Sequence, residues 1–352
     1  AGGDLAGECA AGAALVAGLA DSCRTRAARE LAGELADRCA AEQAYSAEVG
    51  FRAAALWTDL HLHGVTDELI RAATGLSDRA APADARVWLV ATLGLAQADA
   101  GAIPAAWSAL QPGPASRTLR WVQAETAWLD GGRDRARGLA GPLTGDAADL
   151  PAELATLTLA WCSADEGQPG LVEPPRSDRA PVQATLAAWA AGDATAFRQA
   201  ADGWAAAMVR EQVRCLLAAG MVGDVAALLE AERLAESAGL AVLLGRARRA
   251  LRPHGIVRRS SPQPGGGLSP REREVLALVG RGLSTRRIAE LLGITRHTTE
   301  TYVKSGMSRL GARTRTEAAV LAARPEPEPG PEAEPGPEAE RSEVVVPGRA
   351  EV

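Results

Sequence analysis

The stretch LSTRRIAELLGITRHTTETYVKSGMSRLG, residues 283–311, reads as two short helices joined by a tight turn. Ser284 stands where a helix N-cap belongs, and Ile288, Leu291 and Leu292 supply an inward apolar face behind it. Gly293 and Ile294 make the turn. Thr295 caps a second helix that runs to Leu310 and stops at Gly311. Arg286, Arg287, Arg296, Lys304 and Arg309 surround the pair, and Lys304 is the only lysine in a chain with 38 basic residues.

Two more helix signatures flank this pair. SPRE at 269–272 is a capping box, with Ser269 as N-cap, Pro270 at the first helical position and Glu272 at the third. Val275, Leu276 and Val279 follow as one apolar face. TRTE at 314–317 is a second capping box, opening a helix of alanines around Val320 and Leu321. Residues 268–324 therefore form a small four-helix module, and two short capped helices with a glycine turn are the sequence form of a helix-turn-helix.

Charge sets the module apart. Residues 1–245 carry 19 basic and 31 acidic groups, residues 246–260 carry six arginines and no acid, and residues 268–324 carry 11 basic and five acidic groups. From 325 to 352 there are two arginines and eight glutamates. A basic block between acidic flanks is the footprint of a polyanion-binding surface, with a solvated helical face as the bland alternative.

The quoted residues and their flanks resemble the DNA-binding domain of the LuxR/NarL family of bacterial transcription regulators. That family is marked by L-S/T-x-R-E-x-E-V-L, then G-x-S/T-x-x-x-I-A-x-x-L, then T-V-x-x-H, and finally K-L-G. This chain supplies Leu268, Arg271, Glu272, Glu274, Val275 and Leu276, then Gly282, Ser284, Ile288, Ala289 and Leu292, then Thr298, Leu310 and Gly311. Three positions depart from the pattern: Thr299 replaces Val, Tyr302 replaces His, and Gly306 replaces a large aliphatic residue. The first and third are expected to face the core. A helix-interior glycine costs about 1 kcal/mol relative to alanine. An unfilled void beside it would add about 2–5 kcal/mol. On that reading Gly306→Ile raises the melting temperature, unless Met307 swings into the gap.

The resemblance implies that outward positions early in the second helix of the pair contact bases in the major groove: Lys304, Thr301 and Glu300. Their chemistry suits the task, since lysine donates to guanine, carboxylate accepts from cytosine, and the threonine methyl meets thymine. Arg296, His297, Arg286, Arg287 and Arg309 are placed for phosphates. A plain alternative for Glu300 and Lys304 is an i, i+4 surface pair. The implied partner is double-stranded DNA, bound by a homodimer.

The front of the chain, residues 1–252, is helix after helix, so the fold class is all-α. Val209, Val213, Leu216 and Leu217 follow helical spacing. Asp224 is expected to cap the next helix, Gly239 to end it, and Leu240 to fold back on its last turn. Breaks recur at Gly101, Gly132, Gly167, Gly192 and Gly223, spaced near the period of a two-helix tetratricopeptide-type unit. A helical-repeat (TPR-like) solenoid follows, with an irregular helical domain as the alternative, and the LuxR-type resemblance implies that it senses a protein or small-molecule signal. The eight tryptophans all lie between Trp57 and Trp204 and read as core fillers. Asp59, His61 and His63 invite a metal, but i and i+2 on a helix point to different faces.

Residues 253–267, rich in Pro, Gly and Ser, read as a flexible linker. Residues 325–352 hold two copies of EPGPEA and read as a disordered tail. The five cysteines form no CxxC, so they are expected to be reduced thiols of a cytoplasmic protein. No apolar run suggests a membrane span. The order of helical repeats, linker and LuxR-type module resembles the C-terminal part of the large ATP-binding LuxR-type regulators. No P-loop is present, so no cofactor is expected here, and ATP belongs to an upstream module if the chain is a portion of such a protein. Ala1 is not a methionine, which fits a portion. A nucleophile elbow, metal-ligand spacing or paired acid/base motif is not found, and an enzyme is not expected. The alternative function is an interaction scaffold with a vestigial helix-turn-helix.

Overall fold

The structure, a computed structural model, describes residues 5–78, 83–111, 116–144, 149–168, 177–256, 268, 270–310, 312 and 314–323, with backbone alone at 84, 270, 297, 308 and 309. Every regular element among them is helical. Two compact units separate, Ala1–Arg259 and Ser260–Val352. The tail expected at 325–352 and most of the linker, 257–267, lie outside the described residues. Residues 253–256 close the first unit: Arg252–His254 form a 3-10 turn and Ile256 packs on its core.

The first unit contains α1 (Leu5–Asp21), α2 (Thr25–Ala41), α3 (Tyr45–His63), α4 (Asp67–Ser77), α5 (Ala83–Asp99), α6 (Ile103–Ala109) and α7 (Arg117–Leu129). It continues with α8 (Arg133–Ala140), α9 (Leu150–Ala164), α10 (Ala180–Ala191), α11 (Ala194–Trp204), α12 (Val209–Met221), α13 (Val225–Ser237) and α14 (Ala241–Leu251). Short polar caps start several of them. Thr66, Asp149, Asp193 and Asp224 each accept a hydrogen bond from the backbone N–H three residues on. Leu240 is buried and its N–H donates to the Ala235 carbonyl, which locks the end of α13. Within the DGG break the left-handed residue is Gly131, whereas Gly132 is the N-cap of α8.

Consecutive helices pack on one another, and α3, α5, α7 and α9 also touch in a row. An aromatic ladder joins α7, α9, α10 and α11: Trp128 on α7 meets Trp161 on α9 at 5.5 Å, Trp161 meets Trp189 on α10 at 5.3 Å, and Trp189 meets Phe197 on α11 at 5.1 Å. Such pairs contribute about 0.5–1.5 kcal/mol each beyond their buried area.

The row does not stay open. α12 reaches back to α3, and α14 to α5. The Val65 N–H donates to the Ala238 carbonyl at 2.8 Å, tying the α3–α4 turn to the α13–α14 turn. Glycines permit that approach: a Cβ on Gly64 would stand 2.1 Å from the Ala238 oxygen, and one on Gly239 would stand 2.4 Å from the Val65 oxygen. An ideal stack of repeats contacts only its neighbours; this array closes on itself.

A buried ionic cluster fastens the closure. Arg210 and Arg214 of α12 meet Asp99 at the end of α5, Glu125 of α7 and Glu211. All five are almost fully buried. Arg210 donates to Asp99 at 2.9 Å and also to Glu125. Arg214 donates to Glu125 at 3.1 Å and to Glu211 at 2.9 Å, and its guanidinium sits 4.8 Å over Trp128. Thr158 of α9 donates to Glu125 as well. Burial alone would raise the Glu125 carboxyl, but the two arginines prevail and hold it down at about 2. For Asp99 burial prevails over Arg210 and pushes its carboxyl up.

His61 is buried, whereas His63 is exposed and pairs with Asp59 at 3.9 Å, so the two histidines face apart. Cys39, Cys162 and Cys215 are buried, and the Cys9 and Cys39 sulfurs lie 3.5 Å apart.

The second unit consists of α15 (Pro270–Gly280), α16 (Thr285–Leu292), α17 (Arg296–Leu310) and α18 (Arg315–Ala322). Val275, Val279, Ile288 and Ala319 form one small core with Tyr302 and Val303 against it. Leu268, Leu276 and Ala318 form another, joined by Met307 and Leu310. Leu291, expected to point inward, is 58% exposed. At about 100° per residue, the inward arc of α16 is centred on Ile288, Ala289 and Leu292, and Leu291 falls off its edge. Val320 is likewise exposed, because Ala318 and Ala319 occupy the buried side of α18.

Candidate nucleic-acid interface

Three hydroxyl caps shape the helix pair and its neighbour. Ser284 accepts from the Arg287 N–H at 3.3 Å, Thr295 from the Thr298 N–H at 3.0 Å, and Thr314 from the Glu317 N–H at 3.1 Å. Gly293 ends α16 in the left-handed region, with φ 62°. Ser269, the expected cap of α15, lies outside the described residues. Its partner in that capping box, Glu272, is buried, and its carboxylate accepts from the Ser305 hydroxyl of α17.

Two arginines brace the pair in a way the motif alone did not reveal. Arg271 donates to the Leu292 carbonyl at 3.0 Å, satisfying a free carbonyl at the end of α16. Arg315 donates to the Leu283 carbonyl at 3.0 Å. A signal existed for Arg271, which stands in the leading motif, but its spacing to Leu292 carries no periodicity.

α17 is divided lengthwise. At about 100° per residue, Arg296, Glu300, Lys304 and Thr301 share an outward arc of about 140°. Thr299, Tyr302, Val303, Gly306 and Leu310 fall on the opposite arc. Burial follows that division: Thr299 and Gly306 are buried, whereas Arg296, Thr301 and Lys304 are exposed and Glu300 is half-buried. Thr299 spends its hydroxyl on the Thr295 carbonyl at 3.2 Å, so a polar group stands in the core with its bond made.

Gly306 overturns the void reading. A Cβ there would lie 2.8 Å from Cδ1 of Leu276 and 3.5 Å from Leu268. Leu276 already occupies the space that a large aliphatic residue would fill, so no gap remains for Met307 to enter.

Of the four cations in the candidate set whose side chains are described, three are held by glutamates one turn on. Arg286 and Arg287 both reach Glu290 at 3.1 Å, and Arg296 reaches Glu300 at 3.2 Å. Arg286 and Arg287 pull the Glu290 carboxyl down. Lys304 has no ion-pair partner among the described residues, and the i, i+4 pair with Glu300 is not made. The side chains of His297 and Arg309 lie outside the described residues. The arrangement is an exposed cationic ridge that includes Lys304, backed by a largely apolar floor.

This capped, braced pair occurs inside a segment that matches a known family. Residues 267–322 match the bacterial regulatory proteins of the luxR family. The segment is a LuxR-family domain. The chain is similar to the transcriptional activator protein BjaR1 of Bradyrhizobium diazoefficiens, 42% identical over 64 residues, 18% of this chain and 26% of that protein. It is similar to the transcriptional regulatory protein LnrK of Bacillus subtilis, 46% identical over 57 residues, 16% of this chain and 26% of that one. It is also similar to the nitrate/nitrite response regulator protein NarL of Escherichia coli, 42% identical over 53 residues, 15% and 24% of the two chains. The chain thus spans about a quarter of the length of the curated relatives it matches. No solved structure matches the chain significantly.

Among the described residues no helix is long and apolar enough to cross a membrane.

Proposed function

We propose that the protein is a cytoplasmic transcription regulator that binds double-stranded DNA as a homodimer, with α17 in the major groove. Its helical unit, taken as a TPR-like regulatory arm, receives the signal that sets its output. The observation that carries the reading is the outward arc of α17, where Lys304, Thr301 and Glu300 lie together on the exposed side of a braced LuxR-family helix pair. Lys304, Thr301 and Glu300 meet base edges, and Arg296, Arg286 and Arg287 meet phosphates, with His297 and Arg309 in the same role. Moving Arg286, Arg287 and Arg296 from their glutamates to phosphates takes little, because exposed ion pairs contribute only about 0–1 kcal/mol. Packing of Leu276 against Gly306 supports a sound recognition helix and removes the main reason to regard it as vestigial.

The test is DNA affinity against salt, by fluorescence anisotropy on a promoter fragment and on random duplex. Each phosphate neutralised contributes about −0.9 to the slope of log K against log salt. Replacing Arg286, Arg287 and Arg296 together by alanine should flatten the slope by about 2.7 per subunit. Salt-insensitive or undetectable binding would refute the reading and favour a helical scaffold.

A further inference from the structure

Helices α1 and α2 form an antiparallel hairpin with small side chains between them. Val16 of α1 and Ala32, Ala36 and Cys39 of α2 share one buried cluster, with Cys9 and Leu35 packed against it. Gly12 lets the two helices approach, because a Cβ there would stand 2.7 Å from Cδ1 of Leu35. One helical turn farther along, at the open end of the hairpin, the same approach brings the Cys9 and Cys39 sulfurs to 3.5 Å.

That open end is otherwise held lightly. Glu8, beside Cys9, pairs with Arg38, beside Cys39, and both side chains are half exposed. Exposed pairs of this kind add little to stability. The other end of α1 is better fastened: Asp21 pairs with Arg179 and accepts from the Leu150 N–H at 2.9 Å.

The two thiols are not equivalent. Cys9 is partly exposed and lines a cavity of about 310 Å³ between α1, α3 and α5, whereas Cys39 is buried. Burial, with the Cys9 sulfur beside it, pushes the Cys39 thiol up to about 11. Burial likewise pushes Cys23 up to about 12, Cys162 to about 11 and Cys215 to about 12. Thiolate is the reactive form, so these four are poor first targets for an oxidant. Where thiols are kept reduced, the disulfides that do form are chiefly transient and redox-sensing.

We infer that Cys9 and Cys39 are a redox modification site, at which a hydroperoxide reversibly converts the pair to a disulfide that staples the open end of the α1–α2 hairpin. The Cys9 thiolate attacks one peroxide oxygen and the O–O bond breaks. With hydrogen peroxide this leaves Cys9 as the sulfenic acid, and the departing hydroxide takes up the proton that Cys9 gave as water. The Cys39 sulfur then attacks the Cys9 sulfur, the S–O bond breaks, and hydroxide leaves with the Cys39 proton as a second water. The thiols lose two electrons and the peroxide gains them. Closing the sulfurs from 3.5 Å to the disulfide length of about 2.05 Å needs only rotation about the two Cα–Cβ bonds. The inference concerns the first unit alone and does not rest on DNA binding.

The experiment uses the full chain, reduced and then exposed to hydrogen peroxide. Remaining thiols are alkylated, peptides are mapped by mass spectrometry without reduction, and amide hydrogen exchange is followed beside them. Expected are the loss of two of the five free thiols, a Cys9–Cys39 link, and recovery of both thiols in dithiothreitol. Cys39→Ser should leave Cys9 as a sulfenic acid that dimedone traps, and Cys23→Ser should leave the link intact. Oxidation should slow exchange of the α1 amides by about tenfold or more. Cys9 ending as a sulfinic acid while Cys39 stays free would overturn the inference. So would a link through Cys23, a link between two chains, or survival of all five thiols. Unchanged exchange in α1 once the link has formed would overturn the staple.

Discussion

Gly306→Ile is the substitution on which the packing of the LuxR-family domain can be judged most sharply. A Cβ at this position lies 2.8 Å from Cδ1 of Leu276 and 3.4 Å from its Cγ. Carbon atoms prefer a separation of about 3.5–4.0 Å, so the leucine methyl has to retreat by about 1 Å even for alanine. Alanine regains about 1 kcal/mol of helix propensity, which offsets that shift, and Gly306→Ala is expected to be near neutral. Isoleucine adds three more carbons against Leu276, which is 0% exposed, and Leu268, which is 7% exposed. Overpacking of this kind costs about 1–3 kcal/mol, and after the smaller propensity gain a net loss of about 1–2 kcal/mol remains. For a module this small, that lowers the melting temperature by roughly 5–15 °C. Circular dichroism follows both units, whereas every tryptophan lies between Trp57 and Trp204. Tryptophan fluorescence therefore reports the first unit alone and should not move. Combining Gly306→Ile with Leu276→Ala should restore most of the loss, because the two side chains exchange one space. A raised melting temperature for the single variant would refute this packing and return the void to the floor of α17.

The other expectations are quickly put. Glu125→Leu leaves Arg210 and Arg214 without their shared carboxylate and should destabilise the first unit by about 3–5 kcal/mol in urea unfolding followed by tryptophan emission; a loss below about 1 kcal/mol would mean that water already reaches the cluster. His61 is held at about 3 in the folded chain against 6.5 as its ordinary value. The unfolded chain therefore takes up the proton first, and the stability contributed by neutral His61, full above pH 6.5, falls as pH drops toward 3. Between pH 7.5 and 5.5 the loss is about 1.4 kcal/mol. It should be read as the difference between wild type and His61→Gln, which cancels the opposite contribution of the raised Asp99. Lys304→Ala should weaken binding to a specific DNA site more than to random duplex, by anisotropy; equal losses would make Lys304 a phosphate contact.

The sequence made the second unit readable because each of its helices is bounded by a local device. Ser284, Thr295 and Thr314 act within three residues of themselves, and short-range chemistry of this kind does not depend on the rest of the fold. The same holds for Asp224 in the first unit. Leu291 misled because an apolar residue at i+3 from Ile288 satisfies a helical pattern at either edge of the buried arc. Gly306 misled for a different reason. Its partner Leu276 is thirty residues away in sequence, and no periodicity says which of two facing side chains fills a shared volume. The closure of the first unit was hidden for the same cause. Arg210 and Arg214 look like ordinary surface charges of a helix until Asp99 and Glu125 arrive from distant segments.

The Val65–Ala238 link and the α12 cluster carry a lesson about how such an array can change over time. A strip of hairpins with two loose ends gains or loses a hairpin at little expense, since only the adjoining surfaces must be remade. Here the α3–α4 and α13–α14 turns are clasped, so a hairpin added or lost between α5 and α12 would pull Arg210 away from Asp99 and Glu125 at once. The number of helices between those two turns is therefore fixed by geometry, and removing α14 should be felt at α3–α5 as a single cooperative loss.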